Sequence, residues 1–134
     1  MTTMHFILSA ICIGFADSII MWFIIGFVFH KSQALTPQTW RPESGSSYMY
    51  STLVSFLFGA LFTLFYLKMV SRYVIPGNIL SQCKLALICF ACFSFTIEVT
   101  NAIYINYDRK FMVGKLLASC LSYIAAAIIA SLFF

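Results

Sequence analysis

Four long apolar runs constrain this chain more than any other feature. The first covers Phe6 to Phe29, twenty-four residues in which Asp17 is the only charge, and the others extend over residues 49–70, 84–104 and 111–133. A helix needs roughly 20 apolar residues to cross the hydrocarbon core of a bilayer, and in lipid a backbone must satisfy its own hydrogen bonds. The reading is an all-α, four-transmembrane-helix bundle: a polytopic integral membrane protein with one domain over residues 1–134 and the lipid bilayer as its first partner. Composition agrees, because charged residues make up only 9% against about 25% in soluble domains. The eight Lys and Arg residues that give the formal charge of +4 lie near the ends of the runs, where cations meet headgroups, so no nucleic-acid partner is implied. Residues 1–5 contain neither Lys nor Arg, and the first run is longer than a cleaved signal needs, so this segment is expected to be retained.

The last two runs form a hairpin around Tyr107. Glu98 lies nine residues before Tyr107 and Lys115 eight after it, so antiparallel helices bring the two charges level and predict an ion pair. Asn101 is three residues beyond Glu98, on the same helical face. Continuing the register sets Ser94 against Ser119, Ala91 against Ser122 and Leu87 against Ala126, a seam of small and polar residues. The first two runs carry their own close-packing signal. Ser55, Gly59 and Thr63 recur every fourth residue, as do Ala10, Gly14 and Ser18, and such small-residue faces let two helices approach closely.

Residues 30–48 are the one substantial polar loop, with Trp40, Arg41 and Glu43 in its densest cluster and Pro37 and Pro42 opposing a continuous helix. Ser46 and Ser47 are candidate caps for the second helix. Residues 74–84, around Pro76-Gly77-Asn78, read as a turn. Lys31, Arg41, Arg109, Lys110 and Lys115 on the side of loops one and three outnumber Lys68, Arg72 and Lys84 on the other. That bias places both termini outside the cytoplasm.

Asp17 falls near the middle of the first helix, where an acid costs about 2.5–3.5 kcal/mol to insert. Protonation, a hydrogen bond to Ser18 or to a hydroxyl of the second helix, or a neighbouring chain must offset that. An intramembrane acid is a candidate transport or proton site. His5 and His30 stand roughly 37 Å apart on one helix at 1.5 Å per residue, too far to share a metal. No metal site, other cofactor or catalytic constellation is therefore predicted. All five cysteines lie in or beside apolar runs, with Cys12 at a depth comparable to Cys89, and are read as packing.

Cys89-Phe90-Ala91-Cys92 resembles the C-x-x-C of four-helix membrane thiol oxidoreductases that reduce quinones. Those enzymes also carry shuttle cysteines in a polar loop, and residues 30–48 contain none. His30 at the end of the first helix, Arg41-Pro42 after it and three further apolar crossings resemble small uncharacterised four-helix inner-membrane proteins of bacteria, with Trp40 where an aliphatic residue is expected. That resemblance implies a multipass inner-membrane protein without a particular activity. Three functions stand as expectations. One is a non-enzymatic accessory or scaffold subunit, or a homo-oligomer. The second is a small proton-coupled transporter or channel using Asp17 and Glu98 with Lys115 as counter-charge. The third is a quinone-linked thiol oxidoreductase using Cys89 and Cys92.

Overall fold

The computed structural model describes residues 3–40, 44–69, 78–106 and 108–134, and the backbone alone over 70–73. Four helices in it are long and apolar enough to span a bilayer, and no strand occurs among the described residues. These are α1 (Thr3–Val28), α2 (Gly45–Tyr73), α3 (Ile79–Tyr104) and α4 (Arg109–Phe133). The fold is the expected all-α four-helix bundle of an integral membrane protein. A helical turn at His30–Gln33 and a 3-10 turn at Pro37–Thr39 punctuate the first connection.

Helix ends are set by caps that hydropathy does not register. α2 begins four residues before the apolar run because Ser44 Oγ accepts from Ser47 N at 3.2 Å, so Ser44 is the cap in place of Ser46 or Ser47. α3 starts at Ile79, where a turn was expected as far as residue 84, because Asn78 Oδ1 accepts from Ser81 N at 3.2 Å. Asp108 caps α4 by accepting from Lys110 N at 3.0 Å and Phe111 N at 3.2 Å. Each cap satisfies an amide that the first helical turn leaves open. The expected turn residues Pro76 and Gly77, and the fold-back residue Tyr107, lie outside the described residues.

α1 packs chiefly on α2, while α4 lies against both α1 and α3. The predicted small-residue faces do meet. A Cβ placed on Gly59 would strike the Ala10 carbonyl and come within 2.8 Å of Gly14 N, and one on Gly14 would fall 2.6 Å from the Phe56 ring. Backbones approach this closely only where no side chain intervenes. Ser9 and Thr63 share a hydrogen bond of 3.2 Å across the same crossing, and Thr63 Oγ1 also donates to the Gly59 carbonyl at 2.8 Å. Toward the termini, Ile13, Phe62 and Tyr66 form one core with Ala86 and Cys89 of α3 and Ala126, Ala127 and Ala130 of α4.

Two π segments change the phase of their helices. In α1 the segment Trp22–Val28 ends with Phe29 N donating to the Ile24 carbonyl, five residues back, at 2.9 Å. That wide turn sets Phe29 over Gly114 of α4. In α3 the segment is Phe90–Phe95, and it overturns the expected seam. Gln82, Ala86 and Cys89 before it are buried, whereas Leu87 before it and Ala91 within it, both expected to face α4, are exposed.

Candidate functional site

The π segment of α3 is what turns Glu98 toward α4. At about 100° per residue, an unbroken α-helix would carry Glu98 roughly half a turn away from buried Cys89. A π turn accommodates about one extra residue and rotates the rest of the helix back by roughly 100°. Ser94 near its end, and Glu98, Val99, Asn101 and Ala102 beyond it, are the partly buried residues on this part of the helix. The predicted partner of Glu98 is present: Lys115 Nζ lies 2.6 Å from Glu98 Oε2, and the two side chains are 19% and 15% exposed for Lys115 and Glu98 respectively. No other partner of that carboxylate oxygen occurs among the described residues, so the ammonium is what compensates its burial. Both residues lie roughly 9 Å, or six residues, inside the nearer helix end.

Asn101 is partly buried like Glu98 and opens onto a shallow groove that it forms with Thr96, Ile97 and Thr100. Asp17 is partly buried at mid-helix. Neither Ser18 nor a hydroxyl of α2 is bonded to it among the described residues. Phe58 and Phe62 enclose the Tyr123 ring at centroid distances of 5.4 and 6.0 Å. The adjacent Ser122 Oγ is buried and has no partner among the described residues. Tyr123 thus sits in an aromatic enclosure at mid-membrane, which sequence reasoning missed. A tyrosine in an apolar run gives no sign of which face it occupies. Asp17 lies roughly 16 Å below the end of α1, about 7 Å deeper than Glu98, and the two acids form separate sites.

A second buried polar pair was equally hidden. Tyr66 Oη donates to Gln82 Oε1 at 2.8 Å, with Tyr66 and Gln82 both buried, and so ties α2 to the first turn of α3. The cysteines divide by face: Cys89 is buried, Cys12 and Cys92 are exposed, and all are free thiols. Cys12 is thus turned away from the interior where a cluster with Cys89 was conceivable. Of the loop cluster, Trp40 stacks edge-on to Phe111 with ring centroids 4.6 Å apart, while Arg41 and Glu43, with the intervening Pro42, lie outside the described residues. Thr39 Oγ1 donates to the Asn106 carbonyl at 3.2 Å, joining the first connection to the third. Among the described residues no three His, Cys, Asp or Glu side chains gather at metal-binding spacing.

No family model, curated protein or solved structure matches this chain.

Proposed function

We propose that this membrane protein is a non-enzymatic component that works by association, as an accessory or scaffold subunit or as a homo-oligomer. The observation that carries the reading is the outward face of α3. Cys92, Thr96 and Thr100 recur there every fourth residue and are exposed. The hydroxyls of Thr96 and Thr100 donate to the carbonyls of Cys92 and Thr96. A hydroxyl satisfied on its own helix leaves a shallow surface against which another helix packs closely. Inside the bundle, by contrast, Glu98 is already matched by Lys115. The resemblance to small bacterial inner-membrane proteins supports an inner-membrane location, and the five-to-three cation bias supports termini outside the cytoplasm. Purification in mild detergent with mass measurement tests the proposal. The expected result is a mass above the monomer, from partner chains or from copies of this one, that Thr96→Leu with Thr100→Leu reduces; a lone monomer in both forms would refute it.

Asp17 favours a second reading, proton-coupled transport, because it is a partly buried mid-membrane acid with no ion-pair partner among the described residues. Asp17→Asn and Glu98→Gln, each reconstituted in liposomes, would then abolish a proton-dependent flux while assembly stays intact. Flux unchanged by either substitution removes the reading.

A further inference from the structure

A cleft of about 920 Å3 opens at the end of the bundle that bears the first and third connections, between the π turn of α1, residues 30–40 and the first two turns of α2. Its size falls within the roughly 300–1,000 Å3 of small-molecule sites. The lining changes with depth. Ile25, Met21 and, deepest, Ser18 line the inner part, Met21 roughly 10 Å and Ser18 roughly 15 Å below the end of α1 at 1.5 Å per residue. His30 and Gln33 line the outer part, and Ser47 and Ser51 of α2 line the facing wall. Thr39, Trp40 and Thr52 already donate to the Asn106 carbonyl, Thr36 Oγ1 and the Tyr48 carbonyl, which leaves the Gln33 amide, the Trp22 indole and the Ser51 hydroxyl as donors; among the described residues no carboxylate lines the cleft. In sequence, the two connections at this end carry Lys31, Arg41, Arg109 and Lys110 against Glu43 and Asp108. A polar mouth above the apolar side chains of Met21 and Ile25, at the cationic end of a membrane bundle, matches a molecule with an anionic, oxygen-rich head and a hydrocarbon tail.

We propose that the cleft binds an anionic phospholipid. Its phosphate and glycerol oxygens accept from the outer donors, and one acyl chain lies against Met21 and Ile25. The π turn makes the room, since Gly26 lines the cleft and a Cβ there would meet only Trp22, at 3.6 Å.

Trp22 and Trp40 are the chain's two tryptophans, and both line the cleft, so intrinsic fluorescence reports on it directly. The purified full chain in mixed micelles is titrated with phosphatidylglycerol or phosphatidylcholine brominated on the same acyl chain. Quenching by phosphatidylglycerol should saturate, with its midpoint at about fivefold lower mole fraction, the effect of roughly one interfacial cation. Gly26→Leu fills the cleft from α1 and Ser51→Leu from α2, and either should remove the difference with helicity unchanged; two independent walls guard against one variant failing to fold. Glycerol phosphate, which has the head without the tail, should leave the quenching intact. Equal midpoints for the two lipids, or a difference that survives both variants, would overturn the proposal. So would reversal by glycerol phosphate, which marks a soluble-anion site, or a doubled particle mass lost in Gly26→Leu, which marks a second copy in the cleft.

Discussion

One methyl group added at Gly59 tests the crossing of α1 and α2. The new Cβ meets the Ala10 carbonyl and Gly14 N, the latter at 2.8 Å. Both are backbone atoms that cannot rotate aside. Restoring ordinary separations of about 3.5 Å requires the helices to part by at least roughly 0.7 Å, and a gap of that size forfeits about a quarter to a half of each dispersion contact along the crossing. Overpacking of this kind costs about 1–3 kcal/mol. The 3.2 Å bond between Ser9 and Thr63 is stretched as well, which adds about 0.6 kcal/mol in a membrane interior. The expected destabilisation is about 3 kcal/mol, roughly a hundredfold in the unfolding equilibrium. Gly26→Ala is the matched control, because its Cβ enters open space beside Trp22 and both variants share the helix-propensity gain of about 1 kcal/mol. Reversible unfolding in mixed micelles of rising dodecyl sulfate fraction, followed by circular dichroism, measures the difference. If the two variants differ by less than about 1 kcal/mol, the helices do not approach at Gly59 as described.

The same assay checks the ion pair: Lys115→Ala should cost about 3 kcal/mol by leaving Glu98 buried without a counter-charge, and Glu98→Lys with Lys115→Glu should recover most of what either swap alone removes. Gln82→Leu should cost about 2 kcal/mol or more, in part by orphaning the buried Tyr66 hydroxyl, and Tyr66→Phe should cost less in that background than in the native chain; additive losses would count against that bond. In native micelles a small maleimide should modify Cys12 and Cys92 before Cys89. Equal rates at all three would contradict the faces assigned to them and reopen the thiol-enzyme reading. Asp108→Ala and Asn78→Ala should each cost about 1 kcal/mol as lost helix caps, and no loss at either position would refute the cap there.

The Glu98–Lys115 pair was legible in the sequence because an isolated charge in an apolar run needs a counter-charge, and a tight hairpin leaves few registers that supply one. The crossing at Gly14 and Gly59 was legible for a similar reason: small residues at fourfold spacing have little use on a lipid face. The rest of the α3–α4 seam was not. Leu87 and Ala91 lie on one uninterrupted α-helical stripe with Glu98, and the stripe the structure buries runs instead through Gln82, Ala86 and Cys89 before the π segment and through Glu98 after it. Gln82 misled the placement of the helix start as well, since a polar residue beside a turn signal looks solvated until Tyr66 reaches it from another helix.

The number of crossings and the level at which the hairpin charges meet were determined by the sequence alone. Both rest on local quantities: the length of apolar chain that lipid demands, and the count of residues on either side of a turn. Only the tertiary structure decided which side of each helix faces inward beyond a π turn, the aromatic enclosure of Tyr123, and the cleft at the head of α1. A one-residue widening of a helix leaves hydropathy unchanged, yet it swings every later side chain by roughly 100°, and here it brings Phe29 onto Gly114 and Glu98 onto Lys115.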